Sequence, residues 1–412
     1  MPLTALTLLR VFIPFALGYF LSYVYRMVNA VLAPNLVADL GLEPAALGLL
    51  TSAYFLAFAA FQLPLGVLLD RYGPRRVEAT LLLFAAAGAF LFSRAESLGS
   101  LIFARALIGL GVSACLMAAF KAFTQWLPPE RLPFANGVQM VSGGLGALFA
   151  TAPVEAALNV VDWRGVFTAL SGLTVLAAAV IYFVVPRAHE KSAGESIGEQ
   201  LQGVVTVYTS AKFWRIAPMA ILAQSAFLAI PGLWAGPWLR DIAGYDREGV
   251  AATLFILSAA MMTGYFFYGL LTERLARRGI PPMAVVIWAM GGFMGVQALL
   301  VGEVPLPPAL IWSLFGFGGT ACILPYAILS QTFPRKLAGR ANTALNMPCF
   351  LGAFFAQWAI GAMIGLWPHT ASGGYDPAGY QAGFGIILLL QLLGAGWFLW
   401  AGRGGVRGTV GS

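Results

Sequence analysis

Charge is scarce in this sequence. Only 10% of its 412 residues are charged and 59% are hydrophobic, whereas a typical soluble domain carries about 25% charged residues. The mean hydropathy is +0.81. A soluble protein of this size needs more charged and polar side chains than this to cover its surface. The composition therefore excludes an ordinary soluble domain and predicts a protein that lies in a lipid bilayer.

Ligands for metal or redox chemistry are also few, with three cysteines and two histidines in the whole chain. Cys115, Cys322 and Cys349 fall within apolar runs, which favours small packing residues over disulfides or metal ligands. His189 and His369 are isolated in polar loops. We therefore expect neither a metal site nor a cofactor.

Nucleotide-binding and hydrolytic motifs are missing as well. The sequence contains no G-x-x-x-x-G-K-[ST] phosphate-binding loop, which argues against direct coupling to ATP. Glycine-rich stretches such as GGLGALFA (143–150) follow no strand and suit close helix packing. Nothing resembles a hydrolytic triad, so we expect no enzyme. The net charge of +7 fits basic loops beside anionic lipid and requires no nucleic-acid partner.

Long apolar runs are what the sequence has in abundance. Each is close to the about 20 residues that a helix needs to cross a hydrocarbon core. They predict an all-α protein with twelve transmembrane helices, at 11–34, 47–69, 78–97, 101–125, 134–158, 165–185, 213–236, 249–271, 282–302, 308–331, 341–366 and 383–401.

Lysine and arginine are distributed unevenly between the two sets of loops. The ends and loops on the side of the N-terminus hold most of them, whereas the opposite loops hold Arg94, Arg164, Arg240 and Arg247. Basic loops stay in the cytoplasm. Both termini are therefore predicted to be cytoplasmic.

The chain repeats itself at an offset of about half its length. GVLLDR (66–71) returns as GLLTER (269–274), GLGVSAC (109–115) as GFGGTAC (316–322), and GALFA (146–150) as GAFFA (352–356). Such repeats are common in secondary transporters. They predict an N-terminal six-helix bundle (1–185), a cytoplasmic linker (186–212) with a surface helix at 197–208, and a C-terminal six-helix bundle (213–412).

The loop between the second and third predicted spans carries the pattern G-x-x-x-D-R-x-G-x-R-R. Its residues are Gly66, Asp70, Arg71, Gly73, Arg75 and Arg76. This pattern resembles the loop motif of the major facilitator superfamily, and the two-fold repeat extends the resemblance over nearly the whole chain. The resemblance implies two six-helix bundles related by a pseudo-twofold axis, and transport by alternating access. It also implies that this motif joins the halves on the cytoplasmic side when the opposite side is open.

Other segments extend the resemblance. Glu273 and Arg274 repeat the motif in the second half, and Pro74 replaces a residue that is usually polar or basic. The segments KAFTQWLPPERLPFANG (121–137) and DWRGVF (162–167) are similar to bacterial uptake members of the superfamily, including the phagosomal amino-acid and nucleoside transporters. This similarity implies a multi-pass protein of the bacterial inner membrane, and we expect a monomer.

Three ionisable residues lie at similar depth in the outer half of the N-terminal bundle: Arg26, Arg105 and Glu155. A charge at mid-membrane costs at least about 2.5–3.5 kcal/mol and usually serves a function. We expect Glu155 to neutralise one arginine, and the remaining positive charge to bind an anionic group of the substrate. The alternative for Arg105 and Glu155 is that they only hold helices together.

Polar residues at helical spacing suggest the rest of a binding cavity. Tyr23, Arg26 and Asn29 share one helical face with Tyr19 and Ser22. From the second half, Gln224, Trp234, Asn342 and Asn346 are predicted to complete the wall, and Trp234 lies beside Pro231, which interrupts helix hydrogen bonding. Packing is the alternative for the two asparagines.

Taken together, these patterns predict a secondary transporter that takes up a small organic anion or zwitterion with a proton. Glu155 is the candidate for proton coupling, as the only acidic residue that lies deep in a predicted span. A proton-driven exporter of amphipathic compounds is the first alternative. A facilitator, an anion exchanger, and a membrane sensor or assembly factor that has lost transport are the others.

Overall fold

The computed structural model describes residues 5–127, 132–186, 197–334, 337–370 and 373–404. Within these ranges the secondary structure is helical and contains no strand. We call the side of the molecule that carries the helix Ile197–Tyr208 the linker side, and the opposite side the far side.

Twelve membrane spans follow one another along the chain when the two arms of the first are counted together. We number them 1 to 12: Leu9–Met27 with Asn29–Leu40, Pro44–Leu69, Arg71–Arg94, Leu98–Trp126, Ala135–Ala157, Trp163–Val184, Ala211–Asp241, Arg247–Arg277, Pro282–Val301, Pro308–Leu329, Gly339–Ile364 and Pro377–Ala401. The predicted all-α fold with twelve spans is confirmed. Several spans are longer than the predicted apolar runs. Their helices continue for further turns, and these turns were not predicted because they carry charged residues.

Spans 1, 4, 5, 7 and 10 depart from a regular α-helix. Span 1 bends by 45° between Met27 and Asn29. Span 7 passes through a π-helical turn, Ile230–Trp234, between the α-helices Ala211–Ala229 and Ala235–Asp241. Pro231 lies in this turn, where it has no N–H to donate. The interruption predicted at Pro231 is confirmed.

The spans form two bundles of six, one from each half of the chain. Across the boundary, span 1 packs against span 7, span 2 against span 11, and span 5 against span 8. The two halves therefore meet along three helix pairs, and a central space remains between them.

The linker contains the helix predicted at 197–208, which spans Ile197–Tyr208. The Tyr208 hydroxyl donates to the Ala344 carbonyl of span 11 over 2.8 Å. Burial raises the pKa of Tyr208 to about 12, so the hydroxyl remains a donor at neutral pH. The linker helix is thereby attached to the second bundle. Residues 187–196 of the predicted linker lie outside the described residues.

Candidate functional site

A cavity of about 500 Å³ lies between the two bundles. Its lining includes Asn136 and Asn342, which lie in the first turns of spans 5 and 11 on the linker side. Polar side chains of both halves line it: Tyr19, Ser22, Tyr23, Arg26, Gln62, Ser113, Asn136, Gln224, Tyr265, Thr320, Tyr326, Asn342 and Asn346. The cavity thus extends from Arg26, near mid-membrane, toward the linker side.

Arg26 is the only charged residue among the described residues that line this cavity. Its side chain is 6% exposed, and Nε has no hydrogen-bond partner in the described structure. The guanidinium carbon lies 4.5 Å from the ring centroid of Tyr23 and 5.3 Å from that of Phe350. Aromatic faces attract a cation but do not neutralise it. Arg26 therefore brings a positive charge to the cavity without forming an ion pair with any described carboxylate.

Asn346 connects the two halves in the wall of the cavity. It accepts a hydrogen bond from the Tyr326 hydroxyl at 3.0 Å, and its Nδ2 donates to Gln62 Oε1 at 3.2 Å. Gln62 belongs to span 2, so this contact crosses between the bundles. Sequence reasoning missed Gln62, although an amide in the middle of an apolar run was a visible signal.

The structure places five of the eight predicted binding residues in the cavity wall: Tyr23, Arg26, Gln224, Asn342 and Asn346. It places the other three elsewhere. Asn29 donates to the Thr51 hydroxyl at 3.1 Å, and Trp234 Nε1 donates to the Gln357 carbonyl at 2.9 Å. Both side chains are fully buried between spans. Asn29, Arg105 and Trp234 therefore lie outside the cavity wall in this conformation, and their role in substrate binding stays a prediction.

Arg105 is buried within the first bundle, with 1% of its surface exposed. Its Nη1 donates to the Tyr25 carbonyl at 2.9 Å, and its guanidinium lies 5.5 Å from the centroid of the Tyr54 ring. Tyr25 lies in the last turn before the bend of span 1, where backbone carbonyls lose helical partners. Arg105 supplies one of the missing donors and so supports the bend.

We expect Arg105→Ala to lower stability rather than affinity. The substitution leaves the Tyr25 carbonyl buried without its donor, at a cost of about 1–3 kcal/mol. The melting temperature of the purified protein should fall by several degrees, while the affinity for any bound anion should change by less than about threefold. A large loss of affinity at unchanged stability would return Arg105 to the binding site.

Glu155 pairs with the second bundle instead of with either buried arginine. Its Oε1 lies 2.9 Å from Arg247 Nε, and Arg247 Nη2 donates to Asn35 Oδ1 at 2.8 Å. The predicted cluster with Arg26 and Arg105 is therefore wrong. Glu155 instead helps to hold span 5 to span 8 at the far side.

We expect Glu155→Gln to have a small effect on stability. The carboxyl side chain is 13% exposed and that of Arg247 is 54% exposed, and such solvated pairs contribute about 0–1 kcal/mol. The melting temperature should change by no more than a few degrees, and high salt should reduce the difference between variant and wild type. A loss of ten degrees or more, on the order of several kcal/mol, would contradict this assignment.

The far side is closed by direct backbone contact between the bundles. A Cβ atom on Gly236 of span 7 would lie 2.2 Å from the Ala30 carbonyl oxygen of span 1, and one on Gly361 of span 11 would lie 2.4 Å from that of Pro44. Spans 1 and 7, and spans 2 and 11, therefore touch where only glycine fits. The cavity is closed at the far side in this conformation.

The loop motif lies on the linker side and has contacts within its own bundle. Gly73 turns the chain between spans 2 and 3 with a φ of 76°, and Arg75 Nε donates to the Tyr182 carbonyl of span 6 at 2.7 Å. Arg71 and Arg76 are exposed, Gly66 is half-buried, and the Asp70 side chain lies outside the described residues. The predicted role in joining the halves stays a prediction, because it concerns the conformation open to the far side.

The corresponding residues of the second half lie at the linker-side end of span 8. Glu273 forms an ion pair with Arg277 one turn later, and Arg274 is exposed. In this conformation the hydrogen bond of Arg75 and the ion pair of Glu273 stay within their own bundles.

Sequence reasoning also missed a buried acid. Span 3 begins at Arg71, so Glu78 lies two turns inside the span, and its side chain is completely buried. The expectation that Glu155 is the only acidic residue deep in a span is wrong.

Two six-span bundles around a central cavity closed at one side are the architecture of a secondary transporter. The chain belongs to the Major Facilitator Superfamily, whose family model matches residues 15–357. The expected family is therefore confirmed, as is the expectation of a transporter rather than an enzyme.

Similar proteins include transporters named for organic anions. The hexuronate transporter of Escherichia coli K12 is 23% identical over 92% of this chain and 90% of its own length. The probable sulfoacetate transporter SauU of Cupriavidus necator is 24% identical over 64% of this chain, and the match spans 64% of that protein. A bacterial homologue of the human lysosomal transporter Spinster, solved in an inward-facing, occupied conformation, shares the fold. Its TM-score is 0.75 at 19% identity, covering 95% of this chain and 96% of that one.

Proposed function

We propose that this protein takes up a small organic anion across the inner membrane of a bacterium by alternating access, together with a proton. Arg26 carries the proposal, because its guanidinium lines the central cavity and pairs with no described carboxylate. An arginine side chain stays charged even when it is buried, so an anionic partner is needed to balance its positive charge.

The charge of the cavity favours an anion over a zwitterion. The described lining residues supply one cation and no carboxylate that would pair with an ammonium group. One guanidinium binds a carboxylate or sulfonate through two parallel hydrogen bonds. A singly charged anion therefore balances the site, whereas a dianion leaves a net negative charge in a medium of low dielectric constant.

The remaining lining suits a polar substrate body. Gln224, Asn342 and Asn346 offer amide donors and acceptors from the second half, and Tyr23 offers a hydroxyl from the first. A volume of about 500 Å³ lies within the range of small-molecule sites. The names of the hexuronate and sulfoacetate relatives agree with a carboxylate-bearing substrate of this size.

In the proposed cycle the linker side faces the cytoplasm, and both termini lie there. This conformation would then release substrate inward, with the far side closed through Gly236 and the Glu155–Arg247 pair. In the opposite conformation these contacts open, and the loop motif from Gly66 to Arg76 joins the halves on the cytoplasmic side.

A thermal-shift screen of the purified protein tests the substrate class. We expect stabilisation by monocarboxylates such as glucuronate or by monosulfonates, weaker effects of dianions of similar size such as dicarboxylates, and none from cationic compounds. Binding raises stability in proportion to the logarithm of ligand concentration above Kd, so the shift should grow with concentration. Stabilisation by cations alone would overturn the anion assignment.

A further inference from the structure

Glu78 has no counter-ion among the residues that the structure describes. Its side chain is 0% exposed, and no nitrogen or oxygen atom among the described residues forms a hydrogen bond with either carboxyl oxygen. An isolated carboxylate in an apolar interior costs far more free energy than the neutral acid. The site therefore fits a carboxylic acid that holds a proton.

The first bundle leaves space specifically for this carboxyl group. A Cβ atom on Gly18 of span 1 would lie 2.2 Å from Glu78 Oε1 and 3.6 Å from Ile181 Cδ1 of span 6. The Cys115 thiol of span 4 faces the carboxyl, and a thiol is only a weak donor. Spans 1, 4 and 6 thus surround the acid, and none of their described residues provides an oxygen or nitrogen hydrogen-bond partner to it.

On span 3, Arg76 precedes Glu78 by two residues and is exposed. The other charged groups of the surrounding spans lie about a turn or more away. Arg75 precedes Glu78 by one turn on span 3 and donates to a carbonyl of span 6. Lys121 lies six residues beyond Cys115 on span 4, or about 9 Å along the helix. On span 1, Arg10 and Arg26 each lie eight residues from Gly18, or about 12 Å along the helix.

We propose that Glu78 is a proton-binding site of the transport cycle, separate from the substrate cavity and occupied by a proton in this conformation. A carboxylate oxygen takes up one proton from water, which forms an O–H bond, and releases it when span 1 moves away from span 3 and water reaches the acid. Span 1 also carries Arg26, so its movement links the proton to the anion. This inference rests on the proposed function for its role in transport, but not for the protonation state itself.

Infrared spectroscopy of the purified protein tests the protonation state without a substrate. A carboxylic acid has a C=O stretching band that an ionised carboxylate and an amide lack. Wild-type protein should show this band at neutral pH, Glu78→Gln should lose it, and the matched control Glu155→Gln should keep it. A band that survives in Glu78→Gln, or a wild-type protein without it, would overturn the proposal.

A second variant tests the same site without removing the acid. Cys115→Ser replaces the weak thiol donor with a hydroxyl, which should shift the band to lower frequency because a stronger hydrogen bond weakens the C=O bond. An unshifted band would place the protonated acid somewhere other than beside Cys115, and so would contradict the assignment even if Glu78→Gln fails to fold.

Proteoliposomes with glucuronate as the probe then test the role in transport. In wild-type protein, an inward proton gradient should accelerate glucuronate uptake at least fivefold. Glu78→Gln should lose this acceleration but retain the exchange of internal for external glucuronate. Unchanged acceleration in the variant would overturn the coupling role of Glu78. If wild-type protein does not transport glucuronate, the anion that stabilises it most in the thermal-shift screen is used as the probe instead. The infrared experiment needs no substrate, so it tests the protonation of Glu78 in either case.

Discussion

Replacing Arg26 with alanine will reduce the affinity for anionic substrate by at least a hundredfold. Arg26 supplies the only charge in the described lining of the cavity. Two charge-assisted hydrogen bonds contribute about 3–6 kcal/mol together, and about 1.4 kcal/mol corresponds to a factor of ten. Binding of glucuronate, or of the best anion from the thermal-shift screen, to the purified variant by calorimetry measures the loss.

Two further variants separate the charge of Arg26 from its geometry. Arg26→Lys keeps the charge but loses the planar fork, so we expect a loss of about tenfold. Arg94→Ala removes an exposed arginine at the end of span 3 and should bind as the wild type does. If Arg26→Ala binds the anion with wild-type affinity and has a normal melting temperature, Arg26 does not bind the substrate. The proposal of an anionic substrate would then lose its basis.

The membrane spans could be predicted from sequence because they depend on local chemistry. Apolar length determines where a helix crosses the bilayer, and a missing N–H at Pro231 predicted the irregular turn of span 7. The linker helix at 197–208 follows from an equally local pattern. These features need no knowledge of which helices become neighbours.

The partners of the charged residues could not be predicted in the same way. Depth along a helix placed Arg26, Arg105 and Glu155 in one layer, but it says nothing about the direction in which each side chain points. Arg105 faces a carbonyl next to a bend in span 1, and Glu155 faces the other half of the chain. Both orientations depend on how distant helices pack.

Glu78 shows a different limit of sequence reasoning. Three arginines precede it within seven residues, so it resembled the last member of a charged loop. Its burial depends on Gly18, sixty residues earlier in the chain. A glycine opposite a buried acid is recognisable only once spans 1 and 3 are known to touch.

Gly236→Val should stop transport while leaving the protein folded. The new side chain would meet the Ala30 backbone, which cannot rotate away as a side chain can, at the contact that closes the far side. Overpacking costs about 1–3 kcal/mol or more, and here the cost applies only to the conformation in which spans 1 and 7 touch. We expect uptake of glucuronate, or of the best-bound anion, to fall by about a hundredfold.

Two other glycines provide matched controls for this prediction. A Cβ on Gly109 would lie 2.1 Å from the Tyr54 carbonyl oxygen within the first bundle, whereas Gly291 has open space around it. Gly109→Val should therefore misfold or express poorly, because its contact exists in every conformation, and Gly291→Val should behave as wild type.

Accessibility at the far side distinguishes a block in the cycle from a loss of folding. A cysteine at the half-buried Asn35 should react with a water-soluble maleimide about ten times faster in Gly236→Val than in the parent, because the far side can no longer close. The native cysteines Cys115, Cys322 and Cys349 are buried and give little background. Equal labelling rates together with normal transport would mean that the far side still closes with valine at position 236. This result would contradict the proposal that contact at Gly236 closes the far side during the cycle.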